Sequence, residues 1–408
     1  MKGVLSGLDR LLDELTTDPG KLRGRRYGLL AHGASLTAAQ VPAHLALAAS
    51  PAGPPTLLLG PEHGYYGVEQ DMIPADHQPD PWTGVPIVSL YGDSAATLRP
   101  DPKVFSGLDL VLIDLQDVGS RYYTYAATAV WTAQAALAAG CEVWVLDRPN
   151  PLGGEVVEGN LPEPGFESFV GAFRLPVRHG LTLGEIVLRE GVAGGWASDA
   201  LSVYPLAGWR RAMCGEETGW PFVAPSPNMP AATTAFLYPG LCLIEATTLS
   251  EGRGTTRPFQ LVGAPGIDPL RLANRLNEVW APDSGRDHGI RAVPTYFRPQ
   301  FQKHAGQVCG GVELVVTSRE SLRAYRAGLE LLAVLFEVAG ECFRWRPDPY
   351  EFVADLPAID LLTGTNRCRR ALEAGGTGLR DWMATFEADE AVYRQERRTL
   401  LLYPEETP

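Results

Sequence analysis

Ten consecutive residues, Ser250-Glu251-Gly252-Arg253-Gly254-Thr255-Thr256-Arg257-Pro258-Phe259, hold one carboxylate, two guanidinium groups, three hydroxyls and two glycines. The glycines argue against a helix and the charge density argues against a core strand. Glycine lets a backbone come close to a ligand, and arginine offers a planar fork of donors that matches a carboxylate or a phosphate. A solvated surface turn is the plain alternative. Three further polar clusters elsewhere in the chain speak against it.

Each cluster follows a short apolar run. Thr56 to Leu59 leads into Gly60-Pro61-Glu62-His63-Gly64-Tyr65-Tyr66, and Leu110 to Ile113 into Asp114-Leu115-Gln116-Asp117-Val118-Gly119-Ser120-Arg121-Tyr122-Tyr123. Val143 to Leu146 leads into Asp147-Arg148-Pro149-Asn150-Pro151-Leu152-Gly153-Gly154. Carboxylates, arginines, a histidine and tyrosines thus gather at neighbouring strand ends. That is the chemistry of a polyhydroxylated ligand such as a carbohydrate, which needs many hydrogen bonds and aromatic faces. The plainer readings differ by residue. Asp114 serves equally as a loop cap, and Asp147 with Arg148 as an ion pair holding the Pro149-Asn150-Pro151 turn. His179 stands just before Thr182 and Glu185, whose spacing is that of a capping box, so a helix-entry histidine competes with a ligand role. Glu62, between Pro61 and His63, has no local structural reason to be a carboxylate. A metal held by His32, His63 and Asp114 has no supporting spacing, and no metal or cofactor is expected.

The elements that must position these residues alternate in the first 150 positions. Tyr27 to Ala31, Thr56 to Leu59, Pro86 to Tyr91, Leu108 to Ile113 and Glu142 to Leu146 read as strands. Helices are expected near Ala38 to Ala49 and from Tyr122 to Ala139, the latter stopped by Gly140. Continuous apolar runs separated by helices indicate a parallel sheet covered on both faces. The expected fold class is α/β: a Rossmann-like, doubly wound, mostly parallel sheet with a second, smaller α+β domain. Ligands of such sheets bind beyond the carboxyl ends of the strands. The division is placed at the proline-rich segment Pro225-Ser226-Pro227-Asn228-Met229-Pro230, giving 1–224 and 225–408. In the second part, Pro269 to Val279 reads as a helix and Val312 to Val316 as a strand. Leu322, Tyr325, Leu329, Leu332 and Phe336 form one helical face.

The chain of 408 residues has 35 Lys and Arg against 48 Asp and Glu, a formal net charge of −13. Without a basic footprint a nucleic acid is not an expected partner. No GxGxxG follows the first strand, and GxxxxGK[ST], GxSxG and HExxH do not occur, which weakens nucleotide, serine-hydrolase and zincin chemistry. The six cysteines have no CxxC pair and read as free thiols. No apolar segment is long enough to span a bilayer, and the first ten residues carry no signal pattern. A cytoplasmic location with no membrane partner is therefore the expectation.

Taken in order, these blocks resemble the exo-β-N-acetylmuramidase family of glycoside hydrolases. The matching segments are GPEHG (60–64), DLQDVGSRYYTY (114–125), LDRPNPLGG (146–154), PVRHGLTLGE (176–185), PSPNMP (225–230), YPG (238–240) and SEGRGTTRPF (250–259). The resemblance runs over roughly residues 3 to 400. It implies a Rossmann-like N-terminal domain, a smaller C-terminal domain, an active-site cleft between them, and removal of terminal N-acetylmuramic acid from the non-reducing end of peptidoglycan fragments. Tyr65-Tyr66 stands where an aromatic followed by arginine is expected, and Glu245-Ala246-Thr247-Thr248 replaces a more glycine-containing version. Many relatives look exported, so the missing signal suggests turnover of imported muropeptides.

Glycoside hydrolysis commonly uses two carboxyl groups, one protonated and one ionised. Glu62 is the expected general acid, its loop beside apolar strand ends favouring desolvation. Asp114, Asp117 and Glu251 are the candidates for the second group, and attack by the substrate's own acetamido oxygen is the alternative. The expected substrate-binding set is His63, Gln116, Arg121, Tyr123, Arg148, Asn150, His179, Asn228, Arg253 and Thr256. Arg253 is favoured for the lactyl carboxylate that distinguishes muramic acid from glucosamine. The competing functions are a non-catalytic binder of sugars or muropeptides and, further off, a nucleotide-using α/β transferase or oxidoreductase. The oligomeric state has no signal in the sequence.

Overall fold

A computed structural model describes residues 3–70, 73, 78–281 and 287–405. Its first sheet has six strands: β1 (Tyr27–Ala31), β2 (Leu57–Gly60), β3 (Ile87–Ser89), β4 (Leu110–Asp114), β5 (Glu142–Leu146) and β6 (Leu201–Tyr204). All five pairings are parallel and the order is β3-β2-β1-β4-β5-β6. The order reverses between β1 and β4, where doubly wound sheets place their ligand crevice. β1 and β4 are buried at every residue, as two covered faces require.

Alternation along these strands feeds two apolar layers. Tyr27, Leu29, Leu110 and Leu112 pack with α1 (Gly7–Thr17) and α2 (Ala43–Ala49). Leu30, Val111, Ile113, Val143 and Val145 pack with α3 (Tyr125–Ala138) and α4 (Leu183–Ala193). Two helices start later than the sequence predicts. α2 begins behind Pro42, because Thr37 and Val41 close a turn before it. Residues 122–124 form a turn ahead of α3, with the Tyr123 amide donating to the Ser120 carbonyl at 2.9 Å. Gly140 adopts φ +83° and ends α3 as predicted.

The second, smaller domain carries an antiparallel sheet of β7 (Leu261–Ala264), β8 (Ile290–Phe297) and β9 (Cys309–Val316), in the order β7-β9-β8. Its helices are α5 (Ala232–Leu241), α6 (Pro269–Val279), α7 (Ala324–Val338), α8 (Ala358–Thr363), α9 (Arg367–Glu373), α10 (Leu379–Ala384) and α11 (Phe386–Arg397). Cys242 to Ala246 form a 3-10 turn directly after α5. α5 and α7 touch backbone to backbone. A Cβ on Gly240 would lie 2.0 Å from the Ala324 carbonyl oxygen, so neither helix tolerates a side chain at the crossing.

The apolar layer over α3 and α4 continues into this domain without a break. Buried polar contacts reinforce the join. Arg121 donates to the carbonyls of Asn160, Leu175 and Leu362, each at 2.9 Å. Tyr325 of α7 donates to Asn160 Oδ1 at 2.8 Å. The C-terminal stretch then returns to the parallel sheet. Tyr403 donates its hydroxyl to Asp147 Oδ2 at 2.6 Å and accepts the Leu206 amide at 2.8 Å, while its carbonyl takes Arg211 Nε at 2.7 Å. The Leu402 amide reaches Glu185 at 2.9 Å. Thr182 and Glu185 form the capping box that the spacing predicts for α4.

Candidate active site

The loop after β2 turns sharply. A Cβ on Gly60 would sit 2.6 Å from the Tyr65 amide nitrogen, and the Gly64 amide donates to the Pro61 carbonyl at 3.0 Å. His63 adopts φ +71° within this turn, a conformation that is unusual outside glycine. Its Nδ1 lies 3.0 Å from the Glu69 carbonyl oxygen, which pins the ring. The turn sets Glu62, only 5% exposed, into a cleft.

That cleft encloses about 480 Å³, part of it open to solvent, and both domains line it. The parallel-sheet side contributes Glu62, His63, Tyr122, Tyr123, Thr124, Tyr125 and Val170. Ser226, Asn228 and Met229 come from the proline-rich segment, and Tyr238, Glu245, Arg253, Phe259, Tyr350 and Glu351 from the second domain. Thr124 Oγ1 donates to Glu62 Oε2 at 2.8 Å. Tyr123 and Tyr125 meet edge to face at 4.7 Å, as do Tyr238 and Phe259 at 4.9 Å. Burial keeps the phenols of Tyr123, Tyr125, Tyr238 and Tyr350 protonated well past their ordinary range. The walls are therefore neutral hydroxyl-tipped rings, suited to a sugar.

Arg253 is held from three sides. Its Nη2 lies 3.1 Å from Glu245 Oε1, its Nη1 3.5 Å from Glu251 Oε1, and its guanidinium 5.0 Å from the Phe259 ring centroid. Tyr350 donates to the other oxygen of Glu245 at 2.7 Å. Glu251 sits behind Arg253, with Lys303 Nζ at 2.8 Å. Burial pushes the Glu251 carboxyl up, but the charges of Lys303 and Arg253 more than reverse this and hold it below the usual carboxylate range.

The cleft thus brings together Glu62, His63, Tyr123, Asn228 and Arg253 from the residues singled out in the sequence. Asn228 donates to Gln70 Oε1 at 3.0 Å. The others lie outside the lining. Asp114 forms a fully buried bidentate pair with Arg148, at 2.6 and 2.8 Å. Arg148 is therefore paired with Asp114 across two strand ends rather than with Asp147. Asp147 instead accepts from Thr182 Oγ1, the Gly184 amide and Tyr403. Gln116 and Arg148 border a separate, mostly apolar cavity of about 540 Å³ beside Leu36, Pro149, Trp220 and Phe222. Gln116 donates to the carbonyls of Asp117 and Pro149. Asn150 bridges Leu152 and Leu181 at 2.9 Å each, and Arg121 serves the domain join. Arg257 pairs with Glu313, and Thr256 is exposed.

Asp117 and His179 are buried with 3.9 Å between Oδ2 and Nε2. Burial pushes the Asp117 carboxyl up to about 7, and pushes His179 down to about 3. His32, also lowered to about 3 by burial, accepts the Gln116 amide at 2.9 Å and packs edge-on against Tyr125. Among the described residues, no group of three or more His, Cys, Asp or Glu side chains is placed to hold a metal ion. No described helix is long and apolar enough to cross a membrane.

Sequence reasoning missed Tyr238, Glu245, Phe259, Tyr350 and Glu351 as members of the cleft. Tyr238 and Phe259 lie inside quoted motifs and were within reach. Glu245 sits in an apolar run, and Tyr350-Glu351 follow no strand of the parallel sheet.

Residues 27–233 match the family described as exo-beta-N-acetylmuramidase NamZ, N-terminal, and residues 236–403 its C-terminal counterpart. A curated relative, the peptidoglycan beta-N-acetylmuramidase NamZ of Bacillus subtilis (strain 168), is 36% identical over 400 residues, 98% of this chain and 91% of that protein. Two crystal structures of DUF1343 family proteins from Bacteroides fragilis superpose with TM-scores of 0.85 and 0.73, at 27% and 25% identity. Each covers 99% of this chain, and this chain covers 100% and 99% of theirs. With both halves matched and this identity over nearly its full length, the chain is a glycoside hydrolase and belongs to the exo-β-N-acetylmuramidase NamZ family.

Proposed function

We propose that this enzyme removes terminal β-linked N-acetylmuramic acid from the non-reducing end of peptidoglycan-derived saccharides or muropeptides. One observation carries the reading beyond family membership: a buried carboxyl, Glu62, shares a tyrosine-walled cleft with a buried arginine, Arg253. Glu62 in its protonated form donates to the glycosidic oxygen as the bond to the anomeric carbon breaks. The aglycone leaves as the alcohol, and water supplies the new oxygen at the anomeric carbon, directly or after attack by the substrate's own acetamido oxygen. Thr124 fixes the rotamer from which it does so. Tyr123, Tyr125 and Tyr238 cover the pyranose faces. Arg253, steadied by Glu245 and stacked on Phe259, presents its fork to the lactyl carboxylate. The tight holding of Asp114 by Arg148, and of Glu251 by Lys303, supports structural parts for both carboxylates.

The test is release of 4-nitrophenol from the β-N-acetylmuramic and β-N-acetylglucosamine glycosides by wild type and by Glu62→Gln. Release from the muramic glycoside alone, lost in the variant, is the expected result. Near-normal turnover by Glu62→Gln would remove Glu62 from the role of acid.

A further inference from the structure

Glu351 reaches the cleft by a costly route. Tyr350 and Val353 exchange both backbone hydrogen bonds, N to O at 3.0 and 2.9 Å, which closes a two-residue hairpin turn over Glu351 and Phe352. Both central residues have positive φ, +47° and +64°. Turns of this kind normally take Asn-Gly, since a side chain at positive φ meets its own backbone. A glutamate and a phenylalanine here are strained, and the glutamate is also a carboxylate only 4% exposed. Strain and a buried carboxyl at one position, on the wall of a cleft, are what functional sites retain against stability.

The turn is held in place by the other domain. Phe352 lies 5.8 Å from Tyr91, Tyr91 stacks on Phe169 at 6.0 Å, and Phe169 stacks on Trp131 of α3 at 5.6 Å. Tyr91 also donates its hydroxyl to Glu351 Oε2 at 3.3 Å. The packing of Phe352 therefore fixes where Glu351 points, and Glu351 shares the cleft with Glu62. The oxygens of a carboxyl group accept hydrogen bonds. In a cleft whose tyrosines occupy the apolar faces of a sugar, its complement is sugar hydroxyl.

We propose that Glu351 is a substrate-contacting, specificity-determining residue that accepts hydrogen bonds from hydroxyl groups of the terminal sugar. The proposal rests on the glycosidase reading above. Its test compares wild type, Glu351→Gln and Glu351→Asn on 4-nitrophenyl β-N-acetylmuramide and on its 4-deoxy and 6-deoxy analogues. Glu351→Gln should lower kcat/KM on the parent substrate by on the order of 10- to 100-fold. On the analogue lacking the contacted hydroxyl, wild type and variant should agree within about twofold, because the interaction is already gone. Glu351→Asn relieves the turn, so its Tm should equal or exceed that of wild type while activity falls. Equal losses on all three substrates, or a fall in Tm matching the fall in activity, would make Glu351 a structural residue and overturn the proposal. If wild type releases nothing from the parent glycoside, the reaction reading fails. Calorimetric binding of free N-acetylmuramic acid and its deoxy forms then decides Glu351 by the same comparison.

Discussion

Thr124 stands at the N-cap of α3, yet its hydroxyl donates to Glu62 Oε2 at 2.8 Å and makes no capping bond to the helix. A threonine at this position ordinarily satisfies one of the first free amides of its helix. Here the helix gives up that bond, and the carboxyl that faces the cleft gains a fixed orientation. The trade links β2, which ends at Gly60, to the start of α3, a helix buried along most of its length.

Thr124→Val tests the trade. Because no cap is lost, stability should stay within about 1 kcal/mol of wild type. Losing the hydrogen bond that orients the acid should lower kcat by about 3- to 10-fold with little change in KM. Thermal melts and steady-state kinetics on the muramic glycoside measure the two effects separately.

Arg253→Lys keeps the charge between Glu245 and Glu251 but removes the planar fork. Discrimination between muramic and glucosamine glycosides should fall by about tenfold or more, mostly through the muramic substrate. The ratio of the two kcat/KM values is the quantity to follow, since it is indifferent to the fraction of protein folded. An unchanged ratio would take lactyl recognition away from Arg253.

Asp114→Asn should behave as a stability variant. It leaves the fully buried Arg148 guanidinium without its counter-charge, a loss that typically costs about 3–5 kcal/mol. Urea midpoints should drop accordingly, while the folded fraction at low temperature keeps its turnover. Loss of turnover at full stability would instead make Asp114 part of the chemistry.

Asp117 and His179 give opposite pH dependences. The unfolded chain releases the Asp117 proton near 3.8 and the folded chain near 7, so the folded state holds more protons between these values and loses stability as pH rises across them. His179 is neutral when folded down to about 3 but takes a proton near 6.5 when unfolded, so its effect is loss of stability as pH falls from 6.5. Asp117→Asn removes the first effect. Its Tm should match wild type near pH 4, gain steadily on it up to about pH 7, and keep a constant lead above.

Much of the parallel sheet was legible because its strands are buried on both faces, which writes continuous apolar runs into the sequence. Tyr27–Ala31 and Glu142–Leu146 have the predicted bounds. β6 escaped notice since Ser202 interrupts so short a run. α5 was hidden by Pro239 and Gly240, two residues that normally end a helix. The proline sits eighth in α5, and the glycine is demanded by the contact with α7 rather than by a turn. On the site side, Glu62 and Arg253 could be found from glycine-flanked polar blocks. Glu351 could not, because positive φ leaves no mark in the sequence when the residues are not glycine or asparagine. Asp114 and Arg148 illustrate the converse: their types suggested chemistry, and only their mutual distance reveals a buried pair.

The return of Tyr403 to the parallel sheet bears on how the molecule is made. Asp147, Glu185 and Arg211 are buried beside the parallel sheet, and each completes its bonding with residue 402 or 403. During synthesis these contacts therefore form last, nearly two hundred residues after the sheet's final strand leaves the ribosome. Until then these three groups lack part of their bonding. A first domain made without residues 402 and 403 would lack those bonds, so the two parts of the chain close on each other as a circuit rather than follow as beads on a string.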